Sequence, residues 1–244
     1  MFHTLFYQPL FNLLILFYVF FPGHDFGLAI ILLTLVTKLL FYPLNNQALK
    51  TQKALNEIQP KLREIQEKFK NDKMEQARQT MALYREAKVS PFSSILPLLV
   101  QLPILFALYW VFADGLNPGS MGNLYSFIKP PTVINPVFLG IVDLSQPSKV
   151  LAVLAGAVQF LQTKLMAPKT AAKENKKRGS ETKMAEIMQK EMLYFFPVLI
   201  IFAFFRSPSA VALYWLVSLI FSIIQQIFVN RQQTSQTYAQ PRKL

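Results

Sequence analysis

Hydrophobic positions fall along this chain in long blocks, and the polar positions between the blocks are mostly basic. Five blocks approach the roughly 20 residues needed to cross about 30 Å of hydrocarbon at about 1.5 Å per residue. They cover 26–44, 91–113, 149–168, 191–206 and 210–230. The fourth is the shortest, and only "RSPSA" separates it from the fifth, which predicts a tight hairpin whose loop barely leaves the membrane. A sixth block lies within 1–25, "LFYQPLFNLLILFYVFF", and is interrupted by Tyr7, Gln8, Pro9, Asn12 and Tyr18. Two structures stay open for it, a further span or an amphipathic helix lying in the interface.

The segment 45–90 has a different period. Ile58, Leu62, Ile65 and Phe69 recur at helical spacing before an "NDK" turn, and Ala77, Met81 and Tyr84 continue the pattern after it. This predicts a cytoplasmic hairpin of two amphipathic helices. The segment 169–190 has no such stripe and is expected to be a flexible basic loop. An outer loop is expected over 114–148 and a short basic tail over 231–244. The fold class is all-α: a polytopic membrane protein.

Composition gives the arrangement a direction. The chain has 244 residues, 52% hydrophobic, with Lys+Arg 25 against Asp+Glu 13. Ten of the basic residues fall in 45–90 and seven in 169–190, whereas 114–148 holds only Lys129. Basic loops stay on the cytoplasmic side, so the N-terminal side is expected outside and the C-terminus inside. No cysteine is present, which excludes disulfides and thiol chemistry. The N-terminus lacks a basic n-region and a small-residue cleavage site, so no leader is expected to be removed.

A few polar groups sit within the blocks. Lys38 lies in the first, on a stripe with Gly27, Ile31, Thr34, Tyr42 and Asn45. Gln101 lies in the second, Gln159 and Gln162 in the third, and Tyr214, Ser218, Ser222 and Gln225 follow helical spacing along the fifth beside Trp215. An ionisable group at membrane depth costs about 2.5–3.5 kcal/mol on insertion scales, so it faces water or a partner. These residues are candidates for lining one hydrated cavity. Plainer readings stay open. Lys38 is near enough to the cytoplasmic end to snorkel, a lone glutamine can serve as packing glue, and Trp215 can be an interfacial anchor.

Absent chemistry narrows the field further. The sequence has no phosphate-binding GxxxxGK[ST] loop and no HExxH, and His3 and His24 lack metal-ligand company. No cofactor or metal is expected. Asp25, Asp114 and Asp143 lie at or beyond the outer ends of the blocks, which argues against ATP-driven or proton-driven transport.

Four stretches, in order, carry a resemblance: "TLVTKLLFYPL", "QPKLREIQEKFKND", "LPLLVQLPILFALYWVF" and "ALYWLVSLIFSIIQQ". Together they resemble the YidC/Oxa/Alb family of membrane protein insertases. The resemblance implies a five-span core in the bacterial plasma membrane, an N-terminal helix at the outer interface, and no bond-making catalysis. It also implies a hydrophilic groove open to the cytoplasm and lipid, with Lys38 at the family's positive position and Gln101 and Trp215 at two further groove positions. The implied partners are nascent membrane proteins, with the ribosome and the Sec translocon as further candidates, and not DNA.

Three departures bear on that groove. Lys38 stands where arginine is common and lacks its bidentate fork. The chain reads "PSAVALYW" where a Gly-Leu pair is frequent, and Leu219 replaces a frequent asparagine. Insertion of membrane proteins is the function these residues favour. A passive channel or small-solute transporter built on the same cavity is the alternative, and a structural scaffold is a third class.

Overall fold

The computed structural model describes residues 1–21, 23–90, 96–166 and 193–239, with side chains except at 96–100, 118 and 230–239. The expected basic loop at 169–190 and the start of the second block lie outside the described residues. A π-helical turn, His3–Tyr7, leads into α1 (Gln8–Phe20). There follow α2 (Phe26–Leu40), α3 (Tyr42–Lys68), α4 (Lys73–Glu86), α5 (Leu96–Gly115), α6 (Lys149–Met166), α7 (Leu193–Phe204) and α8 (Ser209–Ala239). Two short antiparallel strands, β1 (Val137–Phe138) and β2 (Val142–Asp143), lie between α5 and α6.

Among the described residues, three helical runs are long and apolar enough to cross a bilayer by length and composition: His3–Phe20, Lys149–Met166 and Ser209–Val229. Helices α2 and α3 pass that test only as a pair, bent by 66°. The bend has a local cause. Phe41 leaves helical geometry at φ −90°, ψ 7°, and Pro43 stands in the first turn of α3, where its missing N–H leaves no hydrogen bond unmade. Gln101–Gly115 and Leu193–Phe204 are shorter apolar helices. The chain is thus a predominantly helical membrane protein with several candidate spans.

The loop between α5 and α6 is tied down at many points. Asp25 caps α2 by accepting from the Leu28 N–H at 3.0 Å and also takes the Leu139 N–H at 2.7 Å. Gly27 allows the Phe138 ring against α2, because a Cβ there would occupy the ring's position. At the start of α8, the Ser209 hydroxyl donates to the Gln146 carbonyl at 2.7 Å, and the Ala210 N–H donates to Leu144 O at 3.1 Å. Leu144 and Ala210 are fully buried. These contacts lay the loop across the ends of α2 and α8.

Helix α1 belongs to the same end. Its turn holds Tyr7, whose hydroxyl donates to Asp114 Oδ2 at 2.7 Å. Asn12 donates to Asn123 O and accepts from the Tyr125 N–H, and the Tyr18 hydroxyl accepts from the Asn135 N–H. The apolar face of α1, with Phe11, Leu14 and Ile15 fully buried, completes the core there.

Helices α3 and α4 are joined by a short turn. Asp72 caps α4 by accepting from the Glu75 N–H at 3.0 Å, a capping arrangement that fixes where the helix begins. Ile58, Leu62, Ile65, Phe69 and Tyr84 are half-buried, consistent with one inward face. The expectation for α4 needs correction. Ala77 and Met81 are exposed, and the buried residue is Leu83. Gln76 lies on the face toward α3, its amide donating to the Gln66 carbonyl at 3.1 Å, and Leu83, seven residues on, shares that face while Met81 does not.

Close packing of α6 on α7 depends on Gly156, where a Cβ would strike Ile201 and lie 3.1 Å from the Pro197 carbonyl. Gly156→Val should therefore lower stability by about 1–3 kcal/mol, seen as a reduced melting temperature of the purified protein. Gly122→Ala is the control, since nothing lies within 4 Å of that position; equal melting of both variants would contradict the packing.

Candidate functional site

Lys38 lies twelve residues into α2, about 18 Å along its axis. Its ammonium donates to Ser222 Oγ of α8 at 3.3 Å. Among the described residues no carboxylate stands at ion-pair distance from it. The charge instead borders a cavity of about 320 Å³ between α2, α3, α5, α6, α7 and α8.

The walls of the cavity come from each helix in turn. Gln101 enters from α5, Gln159 and Gln162 from α6, and Trp215, Ser218, Ser222 and Gln225 from α8. All of these are candidates read from sequence, and the structure brings them together with Lys38. Tyr214, on the same α8 stripe, is 1% exposed and absent from this wall. Thr34 is absent as well. It is fully buried, and its hydroxyl donates to the Ile30 carbonyl at 2.6 Å. It shares a helical stripe with Lys38, but its hydroxyl is spent on its own backbone, a common use of threonine inside a helix.

The amides are held in fixed orientations. Gln101 Nε2 donates to the Tyr214 hydroxyl at 2.8 Å, and Trp215 Nε1 donates to Gln159 Oε1 at 3.2 Å. Gln159 in turn donates to Thr163 Oγ1 at 3.3 Å. Gln225 donates to the Tyr42 carbonyl at 3.2 Å, which ties α8 to the bend between α2 and α3. Ser222 donates to the Ser218 carbonyl at 2.8 Å, leaving its oxygen to accept from Lys38.

The structure also adds wall residues. The bend carries Asn45, Ala48, Leu49 and Gln52 of α3 under the cavity, and Gln52 follows Asn45 by seven residues on one helical face. That spacing was legible, but the bend that aims it at Lys38 was not. Leu219 and Phe196 supply apolar wall, so the leucine at the position where asparagine is frequent dries part of the surface.

Comparison with known proteins is decisive about kinship. The family model described as 60Kd inner membrane protein matches residues 16–236. The chain belongs to that family. It is 37% identical over 208 residues to a Fusobacterium nucleatum protein named membrane protein insertase YidC, covering 85% of this chain and 87% of that one. It is 35% identical over 212 residues to the Clostridium tetani protein of the same name, covering 86% and 84%. Against the Syntrophus aciditrophicus protein of that name the identity is 36% over 211 residues, and the match spans 34% of that longer chain. With its apolar helices, membership makes this a multi-pass inner-membrane protein.

The bond between Gln101 and Tyr214 gives an asymmetric prediction. Tyr214 is 1% exposed, whereas Gln101 borders the cavity. Gln101→Leu takes from the buried phenol its 2.8 Å amide donor and leaves it only the Ser218 hydroxyl one turn on, and should cost about 1–3 kcal/mol. Tyr214→Phe leaves an amide that cavity water can satisfy, and should cost less than about 1 kcal/mol. Thermal melts of the two purified variants measure the difference, and equal losses would indicate a dry cavity.

Proposed function

We propose that the chain is a membrane protein insertase that receives hydrophilic segments of nascent membrane proteins in the Lys38 cavity and releases their helices into lipid. The observation that carries this reading is an ammonium with no carboxylate partner among the described residues, in a polar cavity inside an apolar bundle. Moving polar chain across hydrocarbon is opposed by unsatisfied peptide groups at several kcal/mol each. A wet recess reaching part-way shortens the distance over which that cost is incurred. Lys38 attracts an acidic or polar outer tail, and Gln101, Ser222 and their neighbours keep it solvated. Burial of the substrate's apolar helix and the membrane potential then supply the drive.

The topology belongs to the same proposal: five spans, the N-terminal side outside and the C-terminus in the cytoplasm, with α1 resting in the outer interface. Support for that placement of α1 comes from its contacts with Asp114, Asn123, Tyr125 and Asn135, all at one end of the bundle. The α3–α4 hairpin meets the nascent chain from the cytoplasm, where its basic residues suit ribosomal phosphates or anionic headgroups. A channel is not favoured, because the outer loop packs across the ends of α2 and α8.

The test is insertion of a single-span substrate with a short acidic outer tail in cells depleted of their own insertase. Lys38→Ala and Lys38→Glu should lower insertion about tenfold at matched protein levels, while Lys38→Arg stays active. Normal insertion by Lys38→Glu would overturn the mechanism.

A further inference from the structure

A second cavity, of about 510 Å³, lies at the other end of the bundle between the N-terminal turn and the end of α5. Its walls include Phe2, His3, Tyr7, Trp110, Asp114 and Asn123. We infer that it binds the primary ammonium headgroup of an aminophospholipid from the outer leaflet. The inference uses the proposed function only for placing α1 at the outer interface.

Asp114 is the acidic residue in the wall of this cavity. The other outer aspartates spend their carboxylates on loop backbone: Asp25 on the Leu28 and Leu139 N–H groups, Asp143 on Ser145. Asp114 accepts through Oδ2 from the Tyr7 hydroxyl at 2.7 Å, and its other oxygen has no hydrogen-bond donor among the described residues. Nor does any lysine, arginine or amino-terminal nitrogen among them stand at ion-pair distance. A carboxylate bordered by aromatic rings and carrying one neutral donor keeps an oxygen open to a small cation; the terminal ammonium of Met1 also borders the cavity but does not stand at ion-pair distance from it.

The rings supply the rest of the recognition. Trp110 lies one helical turn before Asp114 on α5, which sets ring and carboxylate side by side. Phe2 meets Trp110 edge to face, with centroids 5.8 Å apart and planes at 83°. Two ring faces at a right angle beside a carboxylate form a corner suited to an ammonium. The π-helical turn His3–Tyr7 shapes the remaining wall by stacking His3 on Tyr7 at 4.6 Å. Such wide turns are uncommon and recur at functional sites. Asn123 adds an amide able to meet a phosphate or glycerol oxygen.

A lipid is the favoured source of the ammonium because Trp110 is 49% exposed and Phe2 37%, on an apolar surface that hydrocarbon covers. Held there, the headgroup would fasten α1 to the end of α5 from the membrane side.

The test is native mass spectrometry of the full chain released from mixed bilayers of phosphatidylethanolamine and phosphatidylglycerol. Wild type should retain the ethanolamine lipid about fivefold to tenfold over the glycerol lipid, and Asp114→Asn should bring that ratio close to one. Equal retention by wild type, or an unchanged preference in Asp114→Asn, would overturn the site. Trp110→Leu, at a half-exposed position, carries the test if Asp114→Asn fails to fold: loss of preference supports the site and full preference overturns it. Adding a soluble lysine-containing peptide separates the sources. Displacement of the lipid at equal concentration would assign the cavity to substrate chains and overturn the lipid reading, whereas retention supports it. No insertion substrate is involved, so this outcome is independent of the Lys38 variants.

Discussion

A lysine ammonium about 18 Å along an apolar helix, with no carboxylate opposite it among the described residues, constrains the surrounding bundle. Left in hydrocarbon, the group would cost about 2.5–3.5 kcal/mol on insertion scales. Neutralising it with a buried acid would lower that cost but fill the position. The fold instead turns polar side chains of the neighbouring helices toward Lys38. Ser222 accepts directly, and Gln101, Gln159 and Gln225 are fixed around the cavity by Tyr214, Trp215 and the Tyr42 carbonyl. Because each amide is oriented by a partner, the wall keeps its shape without closing on the charge.

The two ends of the bundle are built differently. At one end, Asp25, Gly27, Ser209 and Ala210 receive the loop between α5 and α6, and α1 packs against the end of α5. Towards the other side, the 66° bend after α2 swings α3 beneath Lys38 and adds Asn45 and Gln52 to the polar surface. The same bend carries Asn56, whose amide donates to the Met166 carbonyl at the end of α6 at 2.9 Å, while Gln226 donates to Leu165 O at 3.2 Å. Two terminal carbonyls of α6 are thus satisfied by side chains of α3 and α8, which links α3 to the cavity wall.

Much of this was legible in the sequence because membrane depth exposes polar residues against an apolar background. Lys38, the three α8 polar positions and the glutamines of α5 and α6 stand out for that reason, and their convergence follows once the helices pack. What could not be read was where hydroxyls bond and how helices rotate. Thr34 shares the stripe of Lys38 but bonds to Ile30 O, and on α4 it is Leu83 that is buried while Met81 is exposed. The π-helical turn before α1 has no sequence signature, so the pairing of Tyr7 with Asp114 was invisible as well. Family kinship was readable because four separated motifs occur in order, and the match over 16–236 establishes it.

For the proposed mechanism to hold, water must reach Lys38 inside the bundle. The chain has no cysteine, so single cysteines can be introduced without further changes. Helix α8 offers an internal comparison: Ser222 lines the cavity, whereas Ile220 and Ile224, two residues to either side, are 44% and 49% exposed on the bundle's outer surface. In native membranes, a maleimide that reacts only with hydrated thiolate should modify Ser222→Cys readily and leave Ile220→Cys and Ile224→Cys unmodified, despite their greater exposure. If Ser222→Cys is as unreactive as the two isoleucine positions, the cavity is dry and the account of Lys38 fails.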